Sequence, residues 1–169
     1  GSGVAYCDLS TGEIGTSEFN KKGHMESLLN ELVKLSAKEV LILSSEVGRD
    51  REIQSELENL TGAYVTILDP SYCSRPLAEE RILSQFGVKS LKGIGLAERP
   101  MSVMALGALL TYLFETQKQS LSHIKKLKIS EPGSVMSLDK ATIRNLELTE
   151  SLFDKKIQGS LLGVLDKTR

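Results

Sequence analysis

The sequence predicts a mixed α/β sheet with flanking helices, followed by an all-helical segment. Three observations carry this. Two alternating runs near the start are joined by Ser10-Thr11-Gly12; an amphipathic helix feeding a short apolar run occurs twice between residues 25 and 68; and from Pro100 onward the apolar stretches become long and helical.

In "GVAYCDLSTGEIGTSEF" small or apolar residues alternate with polar ones, and Gly12 can take the left-handed turn conformation, so a hairpin of strands near 3 to 9 and 13 to 19 is expected. "MESLLNELVKLS" places Leu28, Leu29, Leu32, Val33 and Leu35 at mostly helical spacing and leads into "EVLIL" at 39 to 43, a buried strand. "DREIQSELENL" repeats the unit with Ile53, Leu57 and Leu60 inward; Gly62 ends it, and "AYVTIL" at 63 to 68 is the next strand. A hairpin followed by helix, strand, helix, strand implies parallel strands at the far side of the sheet. Asp69-Pro70 closes that strand, and Pro76 sits in the first turn of another helix. Residues 87 to 98, "GVKSLKGIGLAE", read as a linker. Pro100 opens a helix to about Lys118 that is apolar nearly all round and so needs cover on most sides. "SLSHIKKLKIS" is weaker, Glu131-Pro132-Gly133 is a turn, and the remainder reads as helical, including an apolar face of Leu161, Leu162 and Leu165.

The 169 residues carry 21 Lys and Arg against 22 Asp and Glu, so the molecule as a whole offers no field for a polyanion or a membrane surface, and any nucleic-acid contact must be local. Cys7 and Cys73 form no CxxC pair, which argues against a disulfide framework or thiolate metal site and for a reducing, cytoplasmic setting. "MSVMALGALLTYLF" falls short of the roughly 20 residues a membrane crossing needs and is flanked by Glu98, Arg99 and Glu115. Gly1-Ser2 at one end and an unfinished apolar face at the other read as cuts, so the chain is expected to be a piece of a longer protein.

Candidate chemistry is thin. "MSLDKATIRNLELTES" at 136 to 151 gathers Asp139, Arg144, Asn145, Glu147 and Glu150, but Asp139 stands where an N-cap acceptor belongs, Leu138 and Ile143 suit a hydrophobic staple, and Arg144 can pair with Glu147. Asp139 is therefore assigned as a structural cap. "GIGLAE" at 93 to 98 lacks the third glycine of a dinucleotide fingerprint, and no GxxxxGK[ST] occurs. His24 and His123 have no second ligand at metal spacing. Lys125, Lys126 and Lys128 cluster without aromatic interleaving, so a solvated face is favoured over a phosphate-contacting patch, for which these three are the weak candidates. No catalytic, cofactor or metal residue is assigned. The alternative is a ribonuclease H-like metal-dependent nuclease, in which Asp8 and Asp69, with Glu31 or Glu79 as a third carboxylate, would hold two metal ions.

"GVAYCDLSTGE" at 3 to 13, "ALGALLTYLFETQKQSLSHI" at 105 to 124, "MSLDKATIRNLELTES" at 136 to 151 and "GSLLGVLDKTR" at 159 to 169 together resemble the MutS family of DNA mismatch-repair proteins, in the family's order. Thr142 with Arg144-Asn145-Leu146-Glu147-Leu148-Thr149 is the most specific part. The resemblance implies that residues 1–96 are a connector domain, a ribonuclease H-like fold without nuclease chemistry, and 97–169 the beginning of the helical core or lever domain. It implies a non-catalytic part that couples mismatch recognition to the ATPase and offers a surface to the partner MutL. Mismatched DNA, ATP and magnesium, and a homodimer belong to the parent protein. The family's Phe-x-Glu wedge would precede residue 1 and its P-loop ATPase would follow residue 169, so no catalytic residue carries over.

In the ribonuclease H arrangement a further strand precedes the hairpin and lies between it and the parallel strands, whereas here only Gly1 and Ser2 precede Gly3. Two ways of closing that gap are expected. Either the hairpin shifts inward against "EVLIL" or "AYVTIL", or the chain self-associates by pairing "VAYCD" with a second copy.

Overall fold

A computed structural model describes residues 1–20, 24–43, 50–117, 121–131 and 161–165. The hairpin forms as its alternation requires: β1 (Ser2–Asp8) pairs antiparallel with β2 (Glu13–Phe19), Ser2 opposite Phe19 and Asp8 opposite Glu13. Gly12 takes φ 72°, and its N–H donates to the Asp8 carbonyl at 2.8 Å, closing the turn. The two helix–strand units follow: α1 (His24–Leu35), β3 (Glu39–Leu43), α2 (Asp50–Thr61) and β4 (Tyr64–Leu68), with β3 and β4 parallel. A 3-10 turn, Pro70–Cys73, leads to α3 (Arg75–Phe86), and α4 is Pro100–Thr116.

Two elements depart from expectation. Residues 126 to 130, read as part of a weak segment, form β5 (Lys126–Ser130), parallel to β2 at the edge of the sheet. Residues 161 to 165, read as helical, form β6 (Leu161–Leu165), which runs parallel to β1 and antiparallel to β3. The sheet has six strands in the order β4-β3-β6-β1-β2-β5. β6 thus occupies the position between hairpin and parallel strands where a gap was expected. The hairpin does not shift inward, and β1 needs no strand from a second copy. The physical reason is pairing: β1 and β3 each present a full row of backbone groups, and a short apolar segment in extended form satisfies both rows, whereas a helix would satisfy neither.

Alternation along the strands separates two cores. Val4, Tyr6, Val40, Ile42 and Val65 face α1 and α2, packing on Leu28, Leu29, Leu32, Ile53 and Leu57. Ala5, Cys7, Leu41 and Leu68 face α3 and α4, packing on Ala78, Ile82, Val103, Leu106, Leu109 and Leu113. The result is a three-layer sandwich. α4 is apolar nearly all round because it is covered by the sheet on one side and by α3 on another, and Leu91, Ile94 and Leu96 of the stretch read as a linker belong to that same core. Phe114, exposed at the end of α4, carries the Arg81 guanidinium 4.4 Å from its ring centroid.

Polar ties fix α4 on the sheet. Its N-cap residue Arg99 makes no side-chain cap bond; instead the carboxylate of Glu18, on β2 and only 6% exposed, accepts from the Ser102 N–H at 3.0 Å and from the Asn20 amide at 2.5 Å. A remote strand therefore caps the helix. Glu18→Ala is expected to lower stability by about 1–2 kcal/mol, because it leaves a buried N–H without an acceptor, while Glu18→Gln, whose amide oxygen can still accept from Ser102, should lose less. Equal denaturant midpoints for parent and Ala variant would refute the capping role.

Further along α4, the Tyr112 hydroxyl donates to Glu39 Oε1 at 2.9 Å, where the Thr66 hydroxyl also donates at 2.6 Å. Burial first, and then this bond, push the Tyr112 phenol up to about 12. Because the folded state holds the proton more tightly than the unfolded one, this tie stabilises fully below the ordinary tyrosine range and is lost as the pH rises toward 12. Tyr112→Phe is expected to flatten that alkaline loss in urea titrations; an unchanged alkaline slope counts against the tie.

Candidate functional site

The expected carboxylate sites separate in space. Asp8 Oδ1 accepts from the Ser10 N–H (3.0 Å), the Ser10 hydroxyl (2.6 Å) and the Thr11 N–H (3.2 Å), and the Ser10 hydroxyl is the main reason its carboxyl lies below the usual range. Asp69 Oδ1 accepts from the Ser71 N–H at 2.9 Å and caps the Pro70–Cys73 turn; the Ser71 hydroxyl first, and then this N–H, hold its carboxyl below the usual range likewise. Both are turn-forming acceptors. They also stand at opposite ends of the sheet: Asp8 follows Cys7, whose row contains Leu165 and Glu39 at the start of β3, whereas Asp69 follows Leu68, paired with Leu43 at the end of β3. Roughly 13 Å of strand lies between those rows.

Glu31 pairs with Lys34 at 3.5 Å, and Glu79 with Arg75 at 2.9 Å. Among the described residues no three His, Cys, Asp or Glu side chains are grouped so that they could hold a metal ion. The geometry a two-metal nuclease requires is not assembled from Asp8 and Asp69. Asp139 lies outside the described residues, as does the rest of the stretch from 136 to 151.

The lysines behave differently. Lys125, Lys126 and Lys128 line one open groove of about 570 Å³ together with His123, Thr11, Gly12, Glu13 and Leu127. Its walls are the β1–β2 turn and the chain entering β5. Register explains the meeting: Lys126 stands opposite Glu13 and Lys128 opposite Gly15. Leu127 and Ile129, on the alternate positions, pack into the core beneath α4 and leave Lys126 and Lys128 exposed.

The approach to β5 is held on two sides. Gln85 of α3 donates to the carbonyls of Leu121 and Ile124 at 2.9 and 2.8 Å, and Ile124 is fully buried. On the other side His123 Nε2 lies 3.1 Å from the Leu9 carbonyl; since a carbonyl only accepts, this nitrogen carries the proton. A Cβ at Gly12 would come 2.8 Å from the His123 carbonyl oxygen, so the turn approaches this closely only because residue 12 is glycine. Glu13, the groove's carboxylate, accepts from the Tyr6 hydroxyl at 3.1 Å, and burial followed by this bond pushes the Tyr6 phenol well above its usual range.

Sequence reasoning found the three lysines but not the groove. His123 carries no signal in the sequence beyond its lack of a second metal ligand, and the Thr11–Gly12 wall depends on a strand pairing that spans more than a hundred residues.

The fold and this groove define a sandwich-type α/β domain with a lysine-lined groove at one edge of its sheet. The family model for MutS domain II matches residues 1–125, and the chain belongs to the MutS family. It is 36% identical over 168 residues to the DNA mismatch repair protein MutS of Symbiobacterium thermophilum, covering 99% of this chain and 19% of that protein. The proteins of the same name from Alkaliphilus metalliredigens and Protochlamydia amoebophila are each 35% identical, again over 99% of this chain and 19% of theirs. The chain thus spans 19% of the length of these relatives. No described helix is long and apolar enough to cross a membrane.

Proposed function

We propose that this chain is the connector part of a mismatch-repair protein, a non-catalytic module that couples mismatch recognition to the ATPase of its parent and offers a docking surface to MutL. The match of residues 1–125 to MutS domain II carries the reading. Its physical support is rigidity. Helices on both faces share cores with a single sheet, and α4 is tied to that sheet by Glu18 and Tyr112, so a displacement at one end is transmitted to the other rather than absorbed.

The connector is taken to be ribonuclease H-like; that α4 shares its core and β5 its sheet supports a connector reaching beyond the expected boundary at residue 96. Mismatched DNA, ATP with magnesium, and homodimer formation belong to the parent, and the setting is cytoplasmic. NMR shift mapping of the intact chain with the N-terminal domain of MutL tests the docking role. Shifts confined to one contiguous face are expected; an unchanged spectrum at high partner concentration rejects it.

A further inference from the structure

We propose that the groove between the β1–β2 turn and β5 is a contact site for a nucleic-acid phosphate backbone, with Lys125, Lys126 and Lys128 supplying the charge. The chain is nearly neutral overall, yet this groove gathers three lysines against the single carboxylate of Glu13, which is already engaged by the Tyr6 hydroxyl. Among the described residues none of the three lysines has an ion-pair partner, whereas Lys34, Arg75 and Arg99 do. The charge is therefore local and uncommitted.

Geometry selects a linear polyanion over a single ion. Lys126 and Lys128 project from the same face of a strand at positions i and i+2, roughly 6.6 Å apart, about the spacing of neighbouring phosphates along a strand. Lys125, just before the strand, lines the same groove. The groove, about 570 Å³ and open, has room for more than one phosphate group. Because Leu127 and Ile129 are anchored in the core and the entry to β5 is pinned by Gln85 and His123, the lysines stand on a fixed strand, and less ordering is needed on binding than for lysines on a loose loop. Among the described residues no Phe, Tyr or Trp lines the groove, and its one ring, His123, is held on the Leu9 carbonyl, so the contact is made to the phosphates rather than to the bases and is independent of sequence.

Lysines on an edge strand also have a plainer role, keeping other strands from pairing there. Glutamate serves that role equally well and cannot bind phosphate, which separates the two. Anisotropy of labelled single-stranded and duplex oligonucleotides with the intact chain, from low to physiological salt, is the test. The expected result is a log–log salt slope of about −2 on the single strand, from about 0.7 per neutralised phosphate over three lysines. Lys126→Glu with Lys128→Glu should weaken binding at low salt by on the order of tenfold or more while thermal unfolding stays unchanged. The same charge change at the exposed Lys89 and Lys92 should have little effect.

Equal losses in the two pairs, or no salt dependence, overturn the assignment. So does displacement by inorganic phosphate as effectively, mole for mole, as by oligonucleotide, which would indicate a simple anion site. Preferential binding of an oligo-glutamate peptide would overturn it in favour of an acidic protein partner. The site stands apart from MutL docking, whose test uses a different ligand, so either can fail alone.

Discussion

Gly107→Leu is expected to destabilise the chain by about 3 kcal/mol or more, because the two helices on one face of the sheet meet at this residue. A Cβ at position 107 would lie 2.2 Å from the Ala78 Cβ and 2.5 Å from the Ala78 Cα. A side chain can often rotate away from an intruding group; a Cα cannot, so α3 and α4 must separate. Around that crossing Ile82, Leu106, Leu109 and Leu113 are almost completely buried, and separation loosens all of them at once. For a chain of this length each kcal/mol corresponds to a melting shift of about 2–4 °C, so a fall of roughly 6–12 °C is expected by circular dichroism.

The alanine variant gives the sharper discrimination, since it changes sign with the packing. In a loosely packed helix interior, Gly→Ala stabilises by about 0.5–1 kcal/mol. At the crossing described here, the same change must destabilise. A Gly107→Ala chain that melts higher than the parent would show that α3 and α4 are not in close contact at this point.

How much of this was legible in the sequence depends on the range of the interactions. The hairpin, α1, β3, α2, β4, α3 and α4 each carry their own periodicity or turn residue, such as Gly12 at φ 72° and Gly62 at φ 68°, and were readable from windows of a few turns. β5 and β6 carry no such local signal. "KLKIS" becomes a strand because β2 offers it an edge, and "LLGVL" becomes one because β1 and β3 leave a position between them. Leucine-rich text of that length suits a helix and a buried strand equally, and only tertiary pairing decides between them. The candidate site was half legible for the same reason: three lysines within four residues are visible in the text, but the turn that walls them, over a hundred positions earlier, is not.

Gly163→Pro is expected to have an effect at least as large as Gly107→Leu, for a reason that lies in the backbone alone. β6 is the described strand that joins the hairpin side, β1, β2 and β5, to the parallel pair, β3 and β4. Gly163 stands opposite Ala5 on one side and Leu41 on the other. Proline has no N–H to donate, fixes φ near −65°, and is found in sheets essentially only at edges and bulges. Whichever neighbour the residue 163 N–H serves, that bond is lost, the facing carbonyl is left buried without a donor at about 1–3 kcal/mol, and the ring crowds the adjacent strand. If β6 leaves, β1 and β3 both present unpaired rows, and such rows recruit other chains. Two readouts should therefore move together: the melting temperature falls, and sedimentation velocity becomes more strongly concentration-dependent than for the parent chain. A Gly163→Pro chain that sediments as the parent does, with its melting temperature unchanged, would mean that residues 161–165 do not hold the centre of the sheet.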